Sequence, residues 1–142
     1  IPALYTLAKE GKIGWGSRYL GNTRFETDLP HRMGTFLLNQ WIRLLLQTGV
    51  KDNSMGYFAM NKETLAELLE YGRSKGIYPF TRTLYGIPLA ALAKKRGFPI
   101  VEVQTHYNCR KHGTTKIPFW SGLKTVLGDM IYALGIWHKL RS

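Results

Sequence analysis

The chain has 142 residues, 44% of them hydrophobic and 20% charged, and its lysines and arginines outnumber its acidic residues to give a formal net charge of +11. That length and composition bound about one ordinary domain and exclude a disordered polar chain. The positive excess favours an anionic partner (nucleic acid, an anionic membrane surface or a phosphorylated substrate) without choosing among them. Cys109 is the only cysteine, which excludes an intrachain disulfide framework and a cysteine-rich zinc site. The longest charge-free stretch, Thr83 to Ala93, contains Gly86 and Pro88 and is too short to span a bilayer. No signal-peptide pattern opens the chain, and residue 1 is Ile1 rather than Met, as expected of a processed product or a fragment.

Helix-like and strand-like segments alternate, which predicts an α/β fold. Pro2 to Glu10 reads as a helix with Leu4, Leu7 and Ala8 on one face and Gly11 as its stop. Lys12 to Ser17 reads as a short strand, and the polar stretch from Gly21 to Pro30 as a loop. Met33 to Thr48 is helical in pattern, with Gly49 ending it. Apolar residues cover most of its circumference, so it requires either a deep core or an apolar partner. Asp52 to Gly56 reads as a turn, followed by a strand from Tyr57 to Met60 and a helix capped by Asn61. Phe80 to Arg96 reads as a helix bent near Pro88 and closed by Gly97, and Phe98 to Tyr107 as a strand. Asn108 to Lys116 is a basic polar loop. In the last segment Leu123, Val126, Leu127, Met130, Ile131 and Leu134 follow three-and-four spacing between Trp120 and Trp137, with His138, Lys139 and Arg141 at the end. This pattern suits a helix lying at a membrane interface and equally a helix docked on the sheet.

The chain contains no Asp-x-Asp, since its aspartates are Asp28, Asp52 and Asp129. It contains no phosphate loop of Walker or Rossmann type, no Gly-x-Ser-x-Gly elbow and no His-Glu-x-x-His. His106 and His112 match no common metal-ligand spacing. Three local constellations remain: Gly16-Ser17-Arg18-Tyr19, the turn from Asp52 through Gly56 to Tyr57, and the run from Arg110 to Lys116. Taken singly, Arg18 reads as a surface charge, Asp52 as a turn-former and the basic run as a solvated loop.

Taken in order, with Gly97-Phe98 through Glu102-Val103 ahead of the basic run, they are more specific. From about Ala3 to about Lys116 the chain resembles the C-terminal part of the family 2 glycosyltransferases of the dolichol-phosphate mannose synthase and polyprenyl-phosphate glycosyltransferase type. The resemblance implies residues 1–118 as the acceptor-side part of a GT-A, Rossmann-like catalytic domain, and residues 119–142 as a C-terminal amphipathic helix. It implies a membrane-associated enzyme at the cytoplasmic face of a membrane. Such an enzyme moves a hexose, mannose or glucose, from a nucleotide-sugar to a polyprenyl phosphate. A divalent metal, Mg or Mn, is implied for the complete enzyme, with ligands mostly outside this chain, in a donor half supplied by a preceding segment or a second chain.

A lipid phosphate is already anionic and nucleophilic, so it requires cations to hold it beside an anionic donor more than it requires a base. The resemblance accordingly implies Arg18, Arg32, Thr35, Arg110 and Lys116 as acceptor-phosphate residues, and Asp52 as the turn's catalytic-site carboxylate, one that orients the active site or assists the metal, with a base role as the alternative. Departures from the family pattern occur at Met55, at Thr81-Arg82-Thr83 and at Gln104. Two other readings stand beside this one: a non-catalytic relative that binds lipid or a partner, and a basic nucleic-acid-binding domain. No recognised nucleic-acid motif supports the second, and the basic residues are dispersed along the chain.

Overall fold

The computed structural model describes residues 2–20, 29–54, 56–81, 84–105 and 119–142. Those residues form a mixed α/β fold with five α-helices around a small three-stranded sheet. The first helix, α1 (Pro2–Lys9), buries Leu4 and Ala8, one turn apart, against the sheet. It leads into β1 (Ile13–Ser17), whose five residues are all buried because strands flank it on both sides. One neighbour is β2 (Phe58–Ala59), antiparallel, with Trp15 opposite Phe58. The other is β3 (Ile100–Gln104), parallel, with Trp15 opposite Glu102 and Ser17 opposite Gln104. The sheet order is therefore β2-β1-β3.

Between β1 and β2 lies α2 (Leu29–Leu46), and after β2 comes α3 (Lys62–Ser74). As expected, Asn61 caps α3, its side-chain oxygen accepting from the Thr64 amide at 2.8 Å. A short 3-10 turn (Pro79–Thr81) precedes α4 (Gly86–Arg96), and α5 (Phe119–Arg141) closes the chain. The centre of the core is α4, in which every residue from Gly86 to Ala93 is buried. Around it pack Ile13 and Trp15 of β1, Leu38 and Ile42 of α2, Leu68 of α3, and Ala133 and Ile136 of α5.

Several boundaries differ from the sequence expectation, for physical reasons. Of the stretch Gly21–Pro30 expected as a loop, residues 21–28 lie outside the described residues, and Leu29 and Pro30 belong to the first turn of α2. A proline is tolerated there because first-turn amides lack helical acceptors. The same reason removes the expected bend at Pro88, which is the third residue of α4. Gly97 does close that helix, in the left-handed conformation (φ 76°) that glycine adopts at least cost. Among the described residues the outer strands begin later than expected, at Phe58 and Ile100, although Tyr57, Pro99 and Thr105 still share backbone hydrogen bonds with β1. The expected basic loop Asn108–Lys116 lies outside the described residues.

The apolar circumference of α2 divides into two arcs. Leu38, Ile42 and Leu46 face the core, whereas Leu29, Met33, Phe36, Leu37 and Leu44 are exposed. In α5 the division is similar: Ala133, Ile136 and Leu140 are buried, and Trp120, Leu123, Leu127, Ile131 and Leu134 are exposed. The two helices pack side by side. Gly34 lies against Val126 near their starts, and Leu46 lines a cleft with Trp137 and Leu140 near their ends. They therefore run in the same direction and present two neighbouring apolar stripes. Among the described residues no helix is long and apolar enough to cross a membrane.

Candidate functional site

The site forms where β1 ends. Ser17, the last residue of the strand, is fully buried, and the chain leaves the sheet at Arg18. Gly16 is required here by close approach. A Cβ on it would lie 2.8 Å from the Thr105 methyl carbon and 3.0 Å from Tyr57 Cβ. The exit from the strand thereby brings Arg18 over the turn after α2, which carries Asp52.

Arg18 and Asp52 form a two-pronged ion pair. Arg18 Nε donates to Asp52 Oδ2 at 2.7 Å and Nη2 donates to Oδ1 at 2.8 Å. The Arg18 backbone amide donates to Oδ2 as well, at 3.0 Å. Ser54 closes the group: its hydroxyl accepts from Arg18 Nη2 at 2.7 Å and donates to Asp52 Oδ1 at 3.1 Å. The Asp52 side chain is fully buried, while 18% of the Arg18 side chain remains exposed. A planar guanidinium held by a carboxylate in this way is fixed in orientation, which a lysine ammonium would not be.

The turn itself is clamped by residues that sequence reasoning did not assign to the site. Glu102 Oε1 accepts from the backbone amides of Lys51 (2.9 Å) and Asp52 (3.2 Å). Trp15 Nε1 donates to the Asp52 carbonyl at 2.9 Å. Trp15 and Glu102 stand opposite each other on neighbouring strands, so one register position of the sheet holds both backbone groups of Asp52. From the other side, Asn53 is buried and bonds Thr48 Oγ1 and the Val50 carbonyl, each at 2.9 Å. Asn39 on α2 accepts from the Asn53 amide at 2.6 Å and donates to Ser54 Oγ at 3.2 Å. Glu102 stood in the sequence as a landmark without a role. The signal for Asn39 was a polar residue on the inner arc of an otherwise apolar helix.

Tyr19 extends the site outward. Burial pushes its phenol above the ordinary range and the Asp52 carboxylate adds to this, while a hydrogen bond with Asn39 and the charge of Arg18 act the other way. A raised phenol pKa stabilises the fold below the ordinary phenol range, and that contribution is lost as pH rises through the folded-state value. Tyr19→Phe is therefore expected to flatten part of the alkaline loss of stability, seen when denaturant midpoints of both proteins are followed from neutral to alkaline pH.

Tyr19 also lines a cavity of about 290 Å³ with Leu29, Arg32, Met33 and Phe36. Of the residues expected to hold an acceptor phosphate, Arg32 lines this cavity and Arg18 precedes Tyr19 in the chain. Thr35 is half-buried one helical turn before Asn39, and its carbonyl accepts from Asn39 Nδ2 at 3.0 Å. Arg110 and Lys116 lie outside the described residues. A divalent cation does not fit at Asp52, because both carboxylate oxygens are occupied by Arg18 and Ser54. Among the described residues, no group of three His, Cys, Asp or Glu side chains converges elsewhere.

No protein-family model, curated protein or solved structure matches the chain. The functional reading accordingly rests on the residues and geometry above.

Proposed function

We propose that this chain is the acceptor-side part of a membrane-associated glycosyltransferase of GT-A fold, one that transfers a hexose from a nucleotide-sugar to a polyprenyl phosphate. One observation carries the reading. A buried, oriented arginine–aspartate pair at the end of the central strand adjoins, through Tyr19, a cavity that combines Arg32 with Leu29, Met33 and Phe36. A lipid phosphate has this same division, an anionic head on an apolar chain. Arg18 and Arg32 supply the charge, and the start of α2 supplies the apolar wall.

The surroundings support the same reading. The exposed apolar arc of α2 begins at that cavity, and the parallel stripe of α5 continues it. Such stripes bind lipid surfaces in proportion to the apolar area they bury. The last turn of α5 carries Lys139 and Arg141, which favour anionic headgroups. In this reading Asp52 orients Arg18 rather than abstracting a proton, since an acceptor phosphate oxygen needs no base.

Binding to phosphatidylcholine vesicles with and without polyprenyl phosphate tests the proposal. Polyprenyl phosphate is expected to strengthen binding of the wild-type chain. Arg18→Lys keeps the countercharge to Asp52 but loses the fork, and is expected to remove about 1.5 kcal/mol of that gain, roughly tenfold in affinity. Equal binding to both vesicle types, or an unchanged gain in Arg18→Lys, contradicts the assignment. Salt-sensitive binding to random-sequence DNA with no vesicle binding supports a nucleic-acid-binding domain instead.

A further inference from the structure

One side chain belongs both to α2 and to the ion-pair network. Asn39 is 3% exposed and sits on the inner arc of α2, on the opposite side from the exposed Met33, Leu37 and Leu44. Its Nδ2 donates to the Thr35 carbonyl at 3.0 Å and to Ser54 Oγ at 3.2 Å. Its Oδ1 accepts from the Asn53 amide at 2.6 Å. Both amide donors are thus placed. The orientation of the amide is also determined, because a flip would set an NH2 group against the Asn53 N–H and an oxygen against the Thr35 carbonyl.

The partners of Asn39 are the partners of the site. Ser54 bonds both Arg18 Nη2 and Asp52 Oδ1. Asn53 follows Asp52 in the turn. Through its bonds to Ser54 and to the Asn53 amide, Asn39 ties the helix to the turn that holds both halves of the ion pair. Leucine, the residue at most other inner positions of α2, would leave a buried Asn53 amide without an acceptor.

We propose that Asn39 is a positioning residue that fixes the Arg18–Asp52 pair relative to α2, acting through Ser54 and Asn53 without touching the acceptor. The claim that this positioning serves acceptor binding rests on the function proposed above. The claim about geometry does not.

Two readouts on the full chain separate these claims: the Arg18 Nε–H resonance by nitrogen–proton NMR, and affinity for phosphatidylcholine vesicles containing polyprenyl phosphate. Asn39→Ala is expected to shift or broaden the Arg18 resonance and to weaken vesicle affinity about tenfold, the scale of one to two buried hydrogen bonds. Because Asn39 acts through Ser54, the Asn39→Ala/Ser54→Ala double variant is expected to be no more than about threefold weaker than the weaker-binding single variant. A folded Asn39→Ala protein with an unchanged Arg18 resonance overturns the proposal, and so do losses that multiply in the double variant. Should Asn39→Ala fail to fold, Ser54→Ala decides, because it leaves the bonds of Asn39 to Thr35 and Asn53 in place; an unchanged Arg18 resonance there also overturns the proposal. A shifted resonance in a chain whose vesicle affinity ignores both Arg18→Lys and Asn39→Ala supports Asn39 as a positioning residue and rejects the acceptor reading.

Discussion

Asp52→Ala is expected to lower stability by roughly 3–4 kcal/mol, a large share of the 5–15 kcal/mol typical of a domain. Asp52 is fully buried, and its carboxylate accepts from the Arg18 backbone amide, two guanidinium nitrogens and the Ser54 hydroxyl. Removing it leaves a largely buried guanidinium without its countercharge. The 18% exposure of Arg18 lets water recover a little of that loss, which places the expectation toward the lower end of the 3–5 kcal/mol seen for broken buried pairs. Asp52→Asn separates shape from charge. The amide matches the carboxylate in size, yet it presents an NH2 group to one of the Arg18 donors. If charge and acceptor geometry hold the site, Asn is expected to cost most of what Ala costs. If packing holds it, Asn is expected to behave like wild type. Urea midpoints at constant slope distinguish the two.

The same pair shows what could be read from the chain and what could not. Arg18 and Asp52 both stood out in the sequence, one in Gly-Ser-Arg-Tyr at a strand end and the other in a turn. Their mutual contact did not, because 34 positions separate them and the contact depends on how β1 and the turn after α2 are seated. Arg18 was expected to face a phosphate; the geometry shows it first held by Asp52 and Ser54. Glu102 and Trp15 were legible as strand residues, but their hold on the Asp52 backbone arises only from strand register.

Helix identity was legible from periodicity, whereas helix orientation was not. The stripe of Leu123, Val126, Leu127, Met130, Ile131 and Leu134 was plain in the sequence, but its centre does not face the core. Val126 and Met130 pack partly inward, and Leu123, Leu127, Ile131 and Leu134 stay exposed. The core side uses Ala133, Ile136 and Leu140 instead. A small residue such as Ala133 lets α5 approach its neighbours closely, so the bulkier arc is displaced outward. In α2 the apolar surplus on all sides left open whether the helix sought a core or an apolar partner. Its inner arc meets the core and its outer arc remains uncovered.

Trp15→Ala is expected to be the most destabilising single change at the core, by about 4–5 kcal/mol. Trp15 is 1% exposed at the middle of the central strand and stacks on Phe58 with ring centroids 5.6 Å apart. Truncation removes the largest fully buried side chain among the described residues and leaves a cavity beneath β2. It also strips the Asp52 carbonyl of the indole donor at 2.9 Å. Trp15→Phe divides these effects, since the ring largely refills the space but brings no N–H. It is expected to cost about 1–3 kcal/mol, the price of a buried acceptor left unpaired and a smaller ring. The site is expected to respond to both variants, because the Asp52 backbone would then be held by Glu102 alone at that register position. A Trp15→Phe protein that loses stability but keeps the Arg18 Nε–H resonance of wild type would mean that Glu102 suffices to set the turn. A shifted resonance in Trp15→Phe makes the central strand part of the machinery that positions the ion pair, and the core and the site are then one construction.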